Sequence, residues 1–405
     1  MNLVVVGLGY VGLPLAIAAA KSGHIVFGYD INKDKILDLK AGRCFIPEIS
    51  TNELIKLQSS GQISFISELM KQSEKTIYII AVPTPLDLDK NPDLAMLKKA
   101  CESIAEIVVD DCLIINESTS YVGTLRDLIK PIIDNQSKLS TLKYAVAPER
   151  IDPGNKKWFI KNTPRLISGL TDDAKKEAVV FYGQFCDVIH EVSTPEVAEA
   201  AKLFENSFRQ VNIALVNELA QIAAKLNFST HEAIMAAATK PFGFMPFYPS
   251  IGVGGHCIPV DPSYLSYSAE IAGVDAKFIK LANQVNSSMP KIIKDRVKDY
   301  LGGDLAGKQV QIAGISYKPD ISDLRESPAL DLIKELETAG AIVSWHDPFV
   351  DEYKGKHSVA LSNKIDLGLI VTPHSQIDFS IWQETNIKVL DLSANSNNYG
   401  WPKFL

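Results

Sequence analysis

The sequence predicts an α/β protein in which two domains with parallel sheets are joined by a helical middle domain. Three observations support this prediction. Short β-branched runs alternate with helical patterns early in the chain, one long helical pattern follows, and a second alternation begins near Gly302. A chain of 405 residues has room for two or three domains, and we place them at residues 1–193, 194–300 and 301–405.

The first domain is predicted from five strand-like runs with helical spacing between them. The strand-like runs are residues 3–6, 25–30, 76–82, 113–117 and 144–147, and helical spacing covers residues 32–40 and 93–109. Strands that alternate with helices form βαβ units, which predicts a mostly parallel sheet. Residues 3–20 carry no charge, but glycines interrupt them and no Lys or Arg precedes them. We therefore expect a strand, a turn and a buried helix there, and neither a membrane span nor a signal peptide.

The middle domain is dominated by a predicted helix over residues 195–227. Thr194 can cap this helix, Pro195 suits its first position, and apolar residues recur at helical spacing. A helix of about 33 residues is about 50 Å long. Because one small domain needs less than that, we expect the helix to link two domains or to pair with its copy in a homodimer.

The third domain repeats features of the first. Residues 308–317 and 341–347 are strand-like, and residues 328–339 have helical spacing. "AGAIVSWHD", which ends at Asp347, is similar to "SGHIVFGYD", which ends at Asp30. This similarity predicts two related βαβ domains, with chance likeness of two generic units as the alternative.

The composition excludes several classes of protein. Acidic residues exceed basic ones, 48 against 41, without a concentrated basic region, so we expect no binding to nucleic acid or to an anionic membrane. Five cysteines, at positions 44, 101, 112, 186 and 257, form no CxxC pair and no metal-ligand spacing. This pattern favours reduced thiols in a cytoplasmic protein without a metal site.

A dinucleotide site is predicted at the first turn of the chain. "VVVGLGYVG" places Gly7, Gly9 and Gly12 in a GxGxxG pattern between an apolar strand and a helix. The first glycine permits a tight turn, the second lets the backbone approach a pyrophosphate, and the third lets the helix pack on the strand. Asp30 ends the second strand, where a carboxylate can bind both ribose hydroxyls and repel a 2′-phosphate. The pattern favours NAD over NADP, against the alternative of a purely structural turn.

One cysteine has chemical surroundings. Cys257 lies in "GVGGHCIPVDP", where three glycines suit a loop that wraps a ligand and presents a thiol. Asp261 follows four residues later and can act as a base or position water. His256 could be a partner base or merely cap the turn, and a buried structural cysteine is the alternative for Cys257.

Two further pairs of residues are candidates. Lys202 and Asn206 fall on one face of the long helix, where they could donate hydrogen bonds to a developing oxyanion. Glu149 and Arg150 follow a strand in "AVAPERIDPG", and loops at the carboxyl ends of parallel strands bind ligands. An exposed helix lysine and ordinary surface charge are the respective alternatives.

Together these residues resemble the family of NAD-dependent nucleotide-sugar 6-dehydrogenases, the relatives of UDP-glucose dehydrogenase. The resemblance extends from Gly7 to beyond Arg325 and rests on "GLGYVGLPLA", "VPTP", "ESTSYVGT", "APERIDPG", "EAAKLFENSFRQVNIALVNELA", "GVGGHCIPVDP" and "GISYKPDISDLRESPA". It implies two Rossmann-like domains, one for NAD and one for the UDP moiety, joined by a helical domain with one long central helix.

The resemblance also implies catalytic roles. Cys257 matches a nucleophile that adds to a C6 aldehyde, giving a thiohemiacetal and then a thioester. Lys202 and Asn206 match groups that stabilise the oxyanion. Asp261 and Glu149 match carboxylates that organise water and protons, with the choice of base left open. Thr119 matches a residue that bonds the catalytic water or the cofactor.

Binding residues are implied in the same way. The cofactor contacts are Gly7, Leu8, Gly9, Tyr10, Val11, Gly12, Asp30, Lys35, Val82, Thr84, Ser118, Thr119 and Arg325. The substrate contacts are Glu149, Arg150, Ile151, Lys202, Asn206, Tyr248, Gly252, Gly254, Tyr317 and Lys318. An arginine from a partner subunit is a further family feature, for which Lys240 is one candidate position.

The expected substrate follows from departures within these motifs. UDP-glucose enzymes typically place Ser before the cysteine and Lys before the aspartate, whereas this chain has His256 and Val260. "GGHCIPVDPSYL" is similar to the branch that acts on UDP-N-acetylhexosamines, although "PGPG" is usual there at residues 249–252, and Arg150 replaces an aromatic residue of the glucose branch. We expect UDP-N-acetylglucosamine, then its manno epimer, then the galacto form, with UDP-glucose as an alternative; the uronate would supply surface polysaccharide synthesis.

Two other functions stay open on the sequence. A two-electron hydroxyacid dehydrogenase of similar build needs a Lys and an Asn on its long helix but no thiol, so Cys257 and the third domain count against it. A non-catalytic NAD-binding regulatory protein is the other, and the joint presence of Cys257, Lys202, Asn206 and Asp261 counts against it.

Overall fold

The computed structural model describes residues 1–46, 49–72, 74–87, 90–151, 155, 157–255, 257–394, 399–401 and 403–405. This part of the chain divides into two compact units. The first comprises Met1–Glu205 and Tyr267–Gly273, and the second comprises Asn206–Ser266 and Val274–Leu405. Within the described residues, none of the helices is both long enough and apolar enough to cross a membrane.

The first unit is built on an eight-stranded sheet. Its strands are β1 (Asn2–Val6), β2 (Ile25–Tyr29), β3 (Ile63–Ile66), β4 (Thr76–Ile80), β5 (Leu113–Asn116), β6 (Lys143–Val146), β7 (Arg165–Gly169) and β8 (Ile189–Glu191). Their order is β3-β2-β1-β4-β5-β6-β7-β8. The first six strands of that order are parallel and follow the doubly wound arrangement in which ligands bind at the carboxyl ends of the strands. The α/β class and the five predicted strands of this domain are confirmed.

The antiparallel pairing of β7 with β6 is the exception in this sheet. Ala145 lies opposite Gly169 and Val146 opposite Ser168. As a result, the first residue of β7 lies toward the carboxyl end of β6, on the side of the sheet where ligands bind in such folds.

Helices cover both faces of this sheet. They are α1 (Gly12–Lys21), α2 (Lys33–Lys40), α3 (Thr51–Ser59), α4 (Ala95–Ile107), α5 (Lys130–Ser137), which continues a π-helical turn at Leu125–Ile129, and α6 (Asp172–Tyr182). Alternate residues of β1 enter different cores: Leu3 and Val5 pack in one apolar cluster, and Val4 and Val6 pack in the other. Two apolar faces explain why these strands are continuous hydrophobic runs.

The long helix predicted at residues 195–227 is present as α7 (Pro195–Leu226). The boundary between the two units falls inside it, between Glu205 and Asn206. After α7 come α8 (Thr230–Ala238), α9 (Asp261–Ile271) and α10 (Lys277–Tyr300).

The second unit contains a four-stranded parallel sheet in the order β10-β9-β13-β14. Its strands are β9 (Gln309–Ala313), β10 (Ile342–His346), β13 (Leu367–Ile370) and β14 (Val389–Asp391), with the helices α11 (Pro328–Thr338) and α12 (Ser380–Gln383) and a small hairpin of β11 (Glu352–Tyr353) and β12 (Lys356–His357). The strand expected at residues 308–317 ends earlier, at Ala313, because Gly314 turns the chain at a φ of 81°.

The similarity between the segments that end at Asp30 and Asp347 extends to the hydrogen bonds that their strands accept. The N–H of Gly7 donates to the Tyr29 carbonyl at 2.8 Å, and the N–H of Gly314 donates to the His346 carbonyl at 2.8 Å. Each glycine follows the first strand of its sheet, and each accepting residue ends the neighbouring strand. The two sheets therefore build the same turn from segments with different sequences.

Candidate functional site

The glycine-rich turn between β1 and α1 has a separate reason for each glycine. Gly7 has a φ of 99°, and a Cβ there would lie 2.5 Å from the Ala81 carbonyl oxygen. A Cβ on Gly12 would overlap the Gly7 carbonyl. Gly9 differs, because among the described residues no heavy atom lies within 4 Å of the position that its Cβ would take. The described part of the protein gives no steric reason for glycine at position 9, whereas a closely approaching ligand does.

Asp30 lies just after β2 and is 7% exposed. One carboxylate oxygen accepts hydrogen bonds from the Leu8 N–H at 3.0 Å and from Lys35 Nζ at 2.8 Å, and the other accepts from the Asn32 N–H at 2.9 Å. These three donors fix the direction of the carboxylate. Asp30 is therefore tied directly to the glycine-rich turn, as the dinucleotide prediction requires.

The same turn leaves the start of α1 available to an anion. Val11 precedes the helix, and no side chain in the described part of the chain caps it. N–H groups at a helix start bind phosphate because four of them lack partners within the helix. The open space at Gly9, the uncapped helix start and the Asp30 carboxylate together fit a dinucleotide. Tyr10, also in the turn, packs edge-on against Phe45 at 5.5 Å.

Four further predicted cofactor residues lie together at the ends of β4 and β5. Ser118 Oγ donates to the Val82 carbonyl at 2.9 Å, and Thr84 Oγ1 donates to the Thr119 carbonyl at 2.5 Å. Because β4 and β5 are parallel neighbours, their carboxyl ends meet at one edge of the sheet. The structure therefore brings Val82, Thr84, Ser118 and Thr119 into one hydrogen-bonded group.

Lys202 of α7 lines a small cavity in the first unit. Thr119 lines it too, together with Ser118, Ser120, Val146, Pro148 and Glu199. Lys202 is only 9% exposed, so it is not the solvent-exposed helix lysine of the alternative interpretation. The structure thus brings two predicted catalytic residues, Lys202 and Thr119, to the same cavity.

Glu199 also lines this cavity and was not predicted as a site residue. Its carboxylate accepts hydrogen bonds from the Gly123 N–H at 2.7 Å and the Leu125 N–H at 3.1 Å. Burial raises the pKa of Glu199 from 4.5 to about 7, although the two N–H groups act in the opposite direction. The cavity therefore contains a carboxyl group that titrates near neutral pH.

Glu149 and Arg150 are held by separate partners. One Glu149 oxygen accepts from the Arg150 N–H at 2.6 Å and the Ile151 N–H at 2.8 Å, and the other accepts from Arg165. The Arg150 guanidinium forms a two-pronged ion pair with Glu205, at 2.6 and 3.1 Å. Glu149 is 6% exposed, so the surface-charge interpretation is wrong for it.

Sequence reasoning missed the residues that surround Glu149. Arg165 Nη1 donates to Glu117 at 2.7 Å, and the Tyr182 hydroxyl donates to the same Glu117 oxygen. Burial raises the pKa of Glu117, Glu149 raises it further, and Arg165 lowers it. Glu117 stands in the quoted "ESTSYVGT" motif, where a carboxylate directly after an apolar strand was the available signal.

In the second unit, Cys257 is exposed and lies just before α9. Its carbonyl accepts a hydrogen bond from the Asp261 N–H at 2.8 Å. The Asp261 side chain is 2% exposed and accepts from Asn206 Nδ2 at 2.5 Å. Three predicted catalytic residues are therefore connected here, and Cys257 is not a buried structural cysteine. His256 lies outside the described residues.

The glycines before Cys257 are needed for packing within the unit. A Cβ on Gly254 would lie 2.7 Å from the Tyr317 Cβ, and one on Gly255 would lie 2.7 Å from the Tyr317 ring. The Gly255 N–H donates to the Arg325 carbonyl at 3.0 Å. In the structure these glycines seat the loop on residues 317–328, and the expectation that they also wrap a ligand stays a prediction. Three predicted contacts, Gly254, Tyr317 and Arg325, are adjacent as a result.

The remaining predicted contacts of this unit lie nearby in the chain. Tyr248 stacks on His231 at 5.3 Å. A Cβ on Gly252 would lie 3.0 Å from the Asn286 carbonyl. The Lys318 carbonyl accepts from Ser316 Oγ at 2.9 Å. Lys240, considered as a partner-subunit contact, lies over the Phe242 ring at 4.9 Å.

Comparison with known proteins decides the family. Three models of the UDP-glucose/GDP-mannose dehydrogenase family match in succession: the NAD binding domain at residues 1–186, the central domain at residues 196–288 and the UDP binding domain at residues 311–391. The chain belongs to this family. It is an NAD-dependent nucleotide-sugar dehydrogenase, which decides against the hydroxyacid dehydrogenase and the non-catalytic alternative.

Relatives in the UDP-glucose/GDP-mannose dehydrogenase family carry two substrate names. The chain is 37% identical to UDP-N-acetyl-D-glucosamine 6-dehydrogenase of Salmonella typhi, over 87% of this chain and 83% of that protein. It is 35% identical to UDP-N-acetyl-D-mannosamine dehydrogenase of Campylobacter jejuni, over 83% and 84%. Among solved structures, UDP-D-ManNAc dehydrogenase from Pyrococcus horikoshii matches with a TM-score of 0.88 at 31% identity, covering 99% of this chain and 98% of that one.

Proposed function

We propose that this protein oxidises C6 of a UDP-N-acetylhexosamine to the uronate through a covalent adduct on Cys257. The favoured substrate is UDP-N-acetylglucosamine. The observation that carries this proposal is the connected group of Cys257, Asp261 and Asn206. An exposed thiol lies one turn before a buried carboxylate, and the carboxylate is held by a side-chain amide. A two-electron oxidation of an alcohol has no use for such a thiol.

The cofactor would be held by residues of the turn and of the adjacent strand ends. Gly9 leaves open space for the pyrophosphate, and the Asp30 carboxylate would bind the ribose. Lys35 is bonded to Asp30, and Thr84 is bonded to the Thr119 carbonyl at the ends of β4 and β5. Leu8, Tyr10, Val11, Val82, Ser118 and Arg325 complete the proposed contacts. Bound NAD⁺ accepts one hydride in each of the two oxidations.

The thiol is needed for the second oxidation. The first removes a hydride from C6 and a proton from its hydroxyl, giving an aldehyde, and an aldehyde carbon has no hydride to lose until a nucleophile adds. Cys257 thiolate addition gives a thiohemiacetal whose oxyanion Lys202 and Asn206 stabilise. Loss of the second hydride leaves a thioester, and water then releases the uronate and restores the thiol. Glu149 and Asp261 organise that water and its protons, while Thr119 bonds it.

The preference for an N-acetylhexosamine rests on three sequence departures and on the relatives. His256, Val260 and Arg150 differ from the UDP-glucose pattern. Arg150, held by Glu205, keeps a fixed guanidinium beside the Glu149 loop. Glu149, Arg150, Ile151, Lys202, Asn206, Tyr248, Gly252, Gly254, Tyr317 and Lys318 would contact the substrate. The relatives' names support both the gluco and the manno epimer, and UDP-N-acetylmannosamine is the second candidate.

We further propose the three-domain division at residues 1–193, 194–300 and 301–405, with a homodimer formed through α7. The family models support this division, because their matches begin and end near these positions. A stripe of exposed apolar side chains on α7 supports the homodimer.

The proposed activity is tested by counting NADH formed per nucleotide sugar consumed. UDP-glucose and the gluco, manno and galacto forms of UDP-N-acetylhexosamine are supplied separately with excess NAD⁺. Two NADH per UDP-N-acetylglucosamine, at the highest kcat/KM of the panel, is the expected result. One NADH per sugar would contradict the four-electron reaction, and a higher kcat/KM for another sugar would overturn the substrate assignment.

The covalent step is tested by replacing the thiol. Cys257→Ala should abolish uronate formation while NAD binding, followed by fluorescence titration, stays within about twofold. Cys257→Ser, if the weaker nucleophile adds, should accumulate an ester detectable as a sugar adduct by intact-protein mass spectrometry. Cys44→Ala, which changes a partly buried cysteine of the first unit, is the control and should retain activity. A Cys257→Ala protein that still made two NADH and free uronate would refute covalent catalysis.

A further inference from the structure

A buried group of charges lies behind Glu149. Arg165 is 3% exposed, Glu117 1% and Glu149 6%, so the three side chains are almost entirely shielded from water. Arg165 Nη1 donates to Glu117 at 2.7 Å and to the Ala147 carbonyl at 3.2 Å, while Nη2 donates to Glu149. The guanidinium also lies 4.9 Å from the centre of the Tyr182 ring. Arg165 thus bridges two carboxylates from strand ends that are neighbours in the sheet.

The strand direction explains why the bridge forms there. β6 and β7 pair antiparallel, with Ala145 opposite Gly169 and Val146 opposite Ser168. Continuing this register past the end of β6 brings residue 165 opposite residue 149. A parallel β7 would carry its first residue to the other end of β6, away from Glu149. The antiparallel pairing of β7 with β6 therefore delivers a cation to the carboxyl ends of the parallel strands.

The contacts leave Glu149 one orientation. Two backbone N–H groups hold one of its oxygens, and Arg165 holds the other. Arg165 in turn is fixed from its far side by Glu117, which also accepts from Tyr182. A buried arginine that touches two carboxylates and an aromatic ring has little freedom to turn.

We propose that Arg165 is a positioning residue for the reaction, which fixes the Glu149 carboxylate in one direction. Glu117 and Tyr182 serve it by fixing the guanidinium. This inference rests on the proposed function, in which Glu149 organises water and protons. Arg165 contacts no reacting atom in this scheme, and it acts only through Glu149.

The test uses two variants of the full-length protein. Arg165→Lys keeps the positive charge, but a lysine cannot bridge two carboxylates as a guanidinium does. The double variant Glu117→Gln/Arg165→Gln keeps the summed charge of the cluster, because it removes one negative and one positive group. Arg126→Gln is the control, since Arg126 forms an exposed ion pair with Glu196 in the same unit.

We expect kcat to fall about 10- to 100-fold in the double variant and at least about threefold in Arg165→Lys, while the Kd for NAD stays within about twofold. We also expect Arg126→Gln to match the wild type. A wild-type kcat in either variant would overturn the inference. So would a double variant that no longer binds NAD, because Arg165 would then be needed for the fold.

The outcomes separate this inference from the proposed function. A wild-type protein that forms no NADH from any UDP-sugar overturns the proposed function, and the inference with it. A wild-type protein that turns over UDP-N-acetylglucosamine beside an equally active double variant overturns the inference alone.

Discussion

Asp30 determines the charge that the adenosine ribose of a bound dinucleotide would meet. Its carboxylate is held by the Leu8 N–H and by Lys35. Replacing Asp30 with Ser removes the repulsion toward a 2′-phosphate and releases the Lys35 ammonium to face it. We expect the ratio of kcat/KM for NAD over NADP to fall at least about tenfold, which corresponds to about 1.4 kcal/mol.

The control for this comparison is Asp34→Ser. Asp34 is an exposed acid in the first turn of α2, close in sequence but outside the turn that would hold the ribose. Its replacement should leave the ratio unchanged. If the unmodified protein reduces NADP as efficiently as NAD, the assignment of Asp30 to the ribose is wrong.

Glu199 gives the fold a dependence on pH. Its pKa is raised by burial to about 7 from 4.5, so the folded state retains a proton that the unfolded chain releases. The stability due to the protonated form is fully present below pH 4.5 and is lost as the pH rises through 7. Relative to Glu199→Gln, the wild type should lose about 3 kcal/mol of unfolding free energy across this window.

The measurement for Glu199 is the pH dependence of chemical denaturation in both proteins. The difference in slope matters rather than the absolute stability, because a Gln amide cannot accept both hydrogen bonds that now reach the carboxylate. Parallel curves between pH 4.5 and 7 would show that Glu199 is ionised throughout.

At this scale the sequence predicts residues that stand in motifs and misses those defined by distant partners. The motif around Gly7 leads to Asp30 because their separation in the chain is itself the signal. Arg165 and Glu117 are 48 residues apart and meet only through the order of the strands. Glu199 lies one turn before Lys202 on α7 and contacts a loop 76 residues away. No periodicity encodes such contacts, so all three were absent from the predicted site.

Helix α7 has a stripe of apolar side chains that are exposed in the single chain. Val197, Phe204, Phe208, Leu215, Ile222 and Leu226 are all at least 41% exposed and recur every four or seven residues. That spacing places them on one side of a helix, over a length of about 44 Å. A continuous apolar stripe of this kind is typical of a helix that pairs with a partner.

We therefore expect Leu215→Glu to convert a homodimer into a monomer. Leu215 is 63% exposed at the middle of the stripe, and burying a carboxylate against a second apolar stripe would cost free energy. Light scattering at micromolar concentration should change from twice the chain mass to 44.4 kDa. Ala224→Glu, on the opposite side of the same helix, is the control and should stay dimeric. A wild-type protein of 44.4 kDa would exclude the homodimer.

Helices and strands with strong apolar periodicity were predicted, whereas the direction in which a strand joins its sheet was not. α7 ends within a residue of its expected position because apolar spacing and Pro195 define it. The direction of β7 was not predicted, because an apolar run has the same pattern in parallel and antiparallel sheets. The packing of Gly254 and Gly255 against Tyr317 was not predicted, because Tyr317 is about 60 residues further along the chain.

At the scale of the whole molecule, both parallel sheets contain the same glycine turn, at Gly7 and at Gly314. The aspartate beside each turn has different partners. Asp30 holds the Leu8 N–H, and Asp347 holds the N–H groups of Ile315 and Ser316 at 2.8 and 3.2 Å. Asp347 is also bonded to His374 Nε2 at 2.9 Å, and both side chains are inaccessible to solvent. The second carboxylate is thus paired with a fully buried imidazole, whereas the first is paired with the ammonium of Lys35, whose side chain is 27% exposed.

We therefore expect NAD to protect one turn and not the other. In hydrogen exchange at about 100 times the Kd, where binding stabilises by about 2.7 kcal/mol, the amides of residues 9–12 should slow. The amides of residues 314–316 should exchange at the same rate with and without NAD. Equal protection of both turns would show that the second carboxylate also receives a dinucleotide.

The hydrogen bond between Asp347 and His374 affects how these two positions change in evolution. Replacing Asp347 alone would leave two backbone N–H groups and an imidazole without their buried acceptor, and replacing His374 alone would leave a buried carboxylate without a side-chain partner. Each substitution alone destabilises the fold more than it does when the other position is substituted as well. Selection therefore acts on the two positions jointly. In an alignment of relatives, the residues at positions 347 and 374 should covary. Position 30 should instead vary with the dinucleotide that each relative uses.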